Sequence, residues 1–308
     1  MSCLLVLPIP VVSCKIFSRI ARPKAADQYR GVLKVVDFNV LHGEELRDFF
    51  RGSSANRIAA TDNMAIECLK RDGTGNFRKS FDVLRDYSDR VVVLRSMSEA
   101  ARQLPQPDGF GDSLIDAAKT SAFPKVCRRF ALGDSGTLAM IEDEQAKAKA
   151  FVENFRRLLD QEMQTGFNEI NTYAGTKWIK ELRREKPIDG AQRDLVRWVA
   201  TCAGLDAYKT TFPGKSLPHP SEIHFWFRFR FSVALTSLWL DWQRHAWQAS
   251  IPVDKLLNDN LDIIYVAYGT CFDGVLSGDG KLQRISSIAS SVVADSLSGR
   301  PLTGLPQP

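Results

Sequence analysis

Strand-like segments occur only towards the two ends of this chain, and that separation decides what it can fold into. Val32-Leu33-Lys34-Val35-Val36, Arg57-Ile58-Ala59-Ala60 and Arg90-Val91-Val92-Val93-Leu94 are short apolar runs in the first third. Helix-like stretches separate them over 44–50, from Thr61 onward with Ala65, Cys68 and Leu69 on one face, and over 77–85, with another opening at 98–103. The next such run, Gly274-Val275-Leu276-Ser277, lies far beyond, between a predicted helix at 260–269 and another at 285–297. A sheet holding all four must join the two ends of the chain, and the alternation of strand and helix predicts parallel crossovers.

Between those ends the strand signal fades. Pro105, Pro107, Gly109 and Gly111 break the alternation, and residues 112–250 read as amphipathic helices, including 142–163, 189–203 and one long helix over 221–247. The expected organisation is a loose extension at 1–30, an α/β domain from 31–111 and 251–298, an α-helical insert at 112–250 and a flexible tail at 299–308.

Six cysteines form no C-x-x-C pair and four histidines form no H-E-x-x-H pair, so any metal must be held by carboxylates. Reduced thiols fit a cytoplasmic protein. Residues 4–12 are apolar, and Val11-Val12-Ser13-Cys14 is similar to a lipoprotein cleavage box. Basic residues follow that run rather than precede it, which favours a loose extension over an export signal. The apolar stretch at 231–240 falls short of the about 20 residues a bilayer needs, so no stable membrane insertion is expected. The balance of 41 Lys and Arg against 36 Asp and Glu, with a pI near 8.9, suits an anionic partner such as nucleic acid.

The acids carry the functional signal, because ligands of open parallel sheets sit at the carboxyl ends of strands. Asp37 follows the first strand and Asp279 follows the last, while Glu67 and Asp262 lie on helices next to those strands in sequence. Four converging carboxylates repel one another and need a cation, and hard oxygen donors suit Mg²⁺ or Mn²⁺. Asp259 is the alternative to Asp262 as a ligand, Asp273 reads as peripheral and Asp62 as a first-turn acid favoured by the helix dipole.

The stretch from Asn258-Asp259-Asn260-Leu261-Asp262 to Leu276-Ser277-Gly278-Asp279 resembles the C-terminal motif of PIN-like metal-dependent nucleases, in which a helix-borne Asp is followed by a strand ending in Ser/Thr-x-Asp. Asp37 and Glu67 are similar to that family's first two acids. The resemblance spans roughly 32–100 and 255–290 and implies a three-layer α/β/α fold. It also implies an endoribonuclease activity in which Asp37, Glu67, Asp262 and Asp279 hold Mg²⁺ or Mn²⁺ and an activated water attacks phosphorus. The partner it implies is nucleic acid, RNA before DNA. A homodimer or an inhibitory protein partner, as for toxin-like or defence-related nucleases, is a further expectation, and a non-catalytic PIN-like binding module is the alternative.

Candidate contacts to substrate phosphate are Arg228 and Arg230, set among aromatic residues, with Ser277 and Lys281 beside the last acid. The basic run Lys177, Lys180, Arg183, Arg184 and Lys186 around Trp178 is a second candidate for a phosphate-tracking face. Gly133-Asp134-Ser135-Gly136 copies a serine-protease nucleophile motif without the histidine block that should precede it, and no P-loop occurs.

Overall fold

A computed structural model of the chain describes residues 31–69, 81–182, 188–219, 221–245 and 252–302. Four strands, β1 (Leu33–Val36), β2 (Arg57–Ala60), β3 (Val91–Val93) and β4 (Val275–Leu276), form one parallel sheet in the order β3-β2-β1-β4. The protein is therefore mixed α/β and mostly helical. Register pairs Val35 with Ala59 on one side and with Val275 on the other, so both ends of the chain meet on β1.

The strands carry few residues but almost no exposed ones. Val35, Val36, Ile58, Ala59 and Val92 are fully shielded, as expected where helices cover a parallel sheet. The crossovers run through α1 (Glu44–Gly52) and α2 (Asp62–Leu69). Thr61 caps α2 by accepting the Met64 N–H at 3.2 Å, as the sequence suggests. The buried residues of α2 include Asn63, Met64 and Ile66 beside Cys68 and Leu69, whereas Ala65 is half-buried. Residues 81–86 are helical. The next helix, α3 (Met97–Ala101), begins before the predicted 98 because Ser96 and Glu99 form a capping box.

Past the Pro/Gly-rich segment come α4 (Phe110–Ser113), α5 (Ala117–Ala131) and α6 (Ser135–Leu182), the last broken at Gly175, whose φ is 76°. They are followed by α7 (Gly190–Thr211), α8 (Phe227–Arg244), α9 (Val253–Gly269) and α10 (Gly280–Leu297). Residues 112–131 still belong to the sheet's edge: Leu94 bridges Ile115, the Asp116 N–H bonds to Val93 O, and the Val93 N–H reaches Thr120 Oγ1 at 2.9 Å.

Helix α8 is buried on every side, the pattern of a central core helix. Several of its polar groups are satisfied within the core. Thr236 and Ser237 donate back to Ser232 and Val233 carbonyls, and the Trp239 and Gln243 N–H groups converge on Asn171 Oδ1. It packs against α7, α9 and α10, and one continuous apolar cluster runs from the sheet through these helices. Helix α8 starts at Phe227, later than the predicted 221, after a 3-10 turn at Ile223–Phe225.

No described helix is long and apolar enough to cross a membrane. The N-terminal extension at 1–30, the side chains of Lys177 and Trp178, residues 183–187, the predicted end of the long helix at 247 and the tail beyond 302 lie outside the described residues.

Candidate functional site

The sheet's strand order reverses beside β1: the chain runs outward through β2 and β3, then returns to place β4 on β1's other side. A crevice opens at such a point along the carboxyl ends of the strands. Asp37 leaves β1 there, and its N–H bonds to Leu276 O of β4 at 3.0 Å. Asp279 follows β4 on the same edge and caps α10, its Oδ1 accepting the Lys281 and Leu282 N–H groups at 2.7 and 3.2 Å.

Asp37 is 1% exposed. Its carboxylate accepts hydrogen bonds from Ser277 Oγ at 2.7 Å and from Asn39 Nδ2 at 3.2 Å. Burial pushes its pKa up; the Ser277 and Asn39 hydrogen bonds oppose that rise, and the charge of Asp279 adds to it. Ser277 also accepts the Asp279 N–H at 3.0 Å, so one hydroxyl ties both strand-end acids. Asp273, by contrast, accepts the Leu33 N–H at the opposite end of β1, which makes it peripheral to the crevice.

Helix α9 crosses this edge and supplies the remaining acid. Asp259, Asp262 and Tyr265 recur at intervals of three and share a face. The Tyr265 hydroxyl, fully buried, donates to Glu67 Oε2 at 2.5 Å and fixes that carboxylate from α2. Asp262 is pushed up to about 8, first by burial, then by the charges of Glu67 and Asp37, with Lys281 opposing. Asp262 thus feels the charges of Glu67 and Asp37, and Asp37 feels that of Asp279, a chain of coupled acids drawn from four separate elements.

Among the described residues, no three His, Cys, Asp or Glu side chains stand close enough together to hold one metal ion. The donor set itself, all carboxylate oxygen with no thiolate or imidazole, fits a hard divalent cation.

Several expected roles need correction. Asp259, the alternative metal ligand, is buried and paired with Lys281, whose ammonium also lies 5.8 Å from the Trp242 ring centroid. Lys281 is therefore an internal counter-ion of the acid group. Ser277 is 3% exposed and lies beneath the acids, so it positions them and does not face substrate. Arg230, equally buried, donates to the His224 and Thr270 carbonyls at 2.8 and 2.9 Å and lies over the Phe110 ring. It stabilises the carbonyl end of α9, where a cation is favoured, and is absent from the charges that act on the site acids. Arg228 lies over Trp226 and near Arg102, and likewise does not act on these acids. Asp62 is a first-turn acid as expected, but it also accepts the Met97 N–H at 3.2 Å and ties α2 to α3, while burial raises it to about 6.

Tyr265 and Asn39 are the residues the sequence did not single out. The three-residue spacing from Asp262 to Tyr265 was the available signal for the first. Fold and site together define an α/β protein with acids placed at the switch point of a parallel sheet. Comparison with models of known families, with curated proteins and with solved structures finds no match to this chain.

Proposed function

We propose that the protein is a divalent-cation-dependent nuclease of PIN-like type, cleaving phosphodiester bonds of RNA. The observation that carries this reading is the placement of Asp37 and Asp279 at the strand ends with Glu67 and Asp262 on the adjoining helices, where Asp262 is raised to about 8 by burial first and by the charges of Glu67 and Asp37 next. A group of acids that destabilise one another's charge is a built demand for a cation. The order β3-β2-β1-β4, with an acid after the first strand and another after the last, agrees with the resemblance to PIN-like nucleases.

Mg²⁺ or Mn²⁺ would be held by Asp37, Asp279, Asp262 and Glu67, and when bound it would supply the missing positive charge and acidify the water that attacks phosphorus. Ser277 and Asn39 fix the Asp37 carboxylate, Tyr265 fixes Glu67, and the first turn of α10 fixes Asp279, so a bound cation would draw together carboxylates that each start from a defined position. Lys281 keeps Asp259 neutralised and out of the ligand set.

A second reading is a non-catalytic PIN-like module that binds RNA, favoured by the absence, among the described residues, of three donors around one point. Incubation with single-stranded RNA and Mn²⁺ separates the two. Cleavage by the wild type that falls at least about a hundredfold in Asp37→Asn and Asp279→Asn supports the nuclease. Equal turnover in all three, or none in the wild type, removes it.

A further inference from the structure

Beside the acid site, a cleft of about 340 Å³ lies between the end of α8, the start of α7 and the exposed face of α10. Arg193, Arg244, Arg284 and His245 line it, with Asp241 the one carboxylate on its wall among the described residues. We propose that this cleft is a phosphate-binding subsite for a single-stranded nucleic acid, guiding the strand along α10 from the acid site. The choice of nucleic acid as occupant rests on the nuclease reading above; the cleft's preference for a phosphate group does not.

Three observations support it. The guanidiniums are anchored from behind. Arg284 binds the buried Asp241 through Nε and Nη2, at 3.0 and 3.4 Å. Arg193 binds Asp295 through Nε at 2.8 Å and the Ile188 carbonyl through Nη1 at 3.2 Å. These bonds leave Nη1 of Arg284 and Nη2 of Arg193 for an incoming anion, with the side-chain entropy cost already met by the fold.

The cleft is continuous with the acid site. Asp279, which caps α10, contributes to the upward shift of Arg284, so the two charges sense each other. Lys281, Arg284, Ser287, Ile288 and Ser291 fall at helical spacing along one face, and the last four line or border the cleft. At about 1.5 Å per residue the face from Asp279 to Ser291 spans roughly 18 Å, enough for more than one phosphate beyond the acids.

Finally, hydroxyls of the exposed Ser287 and Ser291 sit between the arginines. Small polar side chains there leave room for a phosphate, and the Ser287 hydroxyl can donate to its oxygens, while the Ser291 hydroxyl donates to the Ser287 carbonyl at 2.9 Å.

The test uses the full chain and a 5′-fluorescein-labelled single-stranded RNA of about twelve nucleotides, followed by fluorescence anisotropy in EDTA, where no cleavage interferes. Ser287→Glu/Ser291→Glu places two negative charges in the cleft without touching an ion pair. Expected is at least about a tenfold weaker Kd for this variant at low salt, and a Kd tightened by Ser287→Lys/Ser291→Lys, with unfolding midpoints unchanged. A wild type that does not bind the RNA, or variants that bind as the wild type does, overturn the proposal. The two failures stay distinct. If only the nuclease reading fails, RNA is bound and lost in the Glu variant without being cut. If only the subsite fails, RNA is cut while the Glu variant keeps the wild-type Kd.

Discussion

Asp262 is where the chemistry of single residues is most exposed to test. Its folded-state pKa, about 8, stands far above the ordinary carboxylate value, because burial and the charges of Glu67 and Asp37 all oppose ionisation. Between roughly pH 4 and 8 the folded state keeps a proton that the unfolded chain gives up, so stability is full below pH 4 and falls as pH rises to 8. Asp262→Asn removes that penalty. It should be more stable than the wild type at pH 8, by about 1–3 kcal/mol, with the difference gone at pH 4. Chemical denaturation at the two pH values decides it, and a pH-independent difference would show that Asp262 is not crowded by charge. Asp37 and Asp279 were legible from sequence because each follows a strand. Arg230 was not, because an arginine among aromatic residues has several ways to satisfy its charge, and here backbone carbonyls at the end of a helix satisfy it.

At the scale of elements, the join between α9 and β4 sets where Asp279 stands. Gly274 holds a φ of 95°, which side-chain-bearing residues rarely adopt, and lets the chain turn directly from α9 into the strand. Gly269 is the close approach: a Cβ there would lie 2.5 Å from Val275 Cγ2 and 3.2 Å from the Gly274 backbone. Gly269→Ala should therefore push β4 from the helix, cost about 1–3 kcal/mol, and reduce any cleavage more than its stability loss explains. Thermal unfolding alongside the RNA assay checks this, and wild-type values for both would contradict it. Sequence reading placed all four strands within a residue or two, since β-branched runs bounded by breakers are local signals. It started α9 and α10 too late, at 260 and 285 rather than Val253 and Gly280. The Asp279 carboxylate caps α10, a role left out where the residue is read as a strand-end acid or a turn residue.

For the whole molecule, the middle of the chain is part of the core that carries the site. Helix α8 lies against α7, α9 and α10, and its burial on every side makes it the principal cover of the C-terminal helices. A chain lacking residues 112–250 should therefore show no cooperative unfolding transition by circular dichroism; a sharp transition would mark the α/β part as independent. Periodicity alone shows that helices exist in this stretch but not which faces meet, which is why it reads as an insert. The claim on which the rest depends is that acids from the two ends of the chain share one divalent cation. Titration of Mn²⁺ followed by electron paramagnetic resonance of the free ion measures this directly. Saturable binding at pH 8 should weaken at least about tenfold in both Asp37→Asn and Asp279→Asn, one from each end. Binding of equal strength in all three proteins would contradict it.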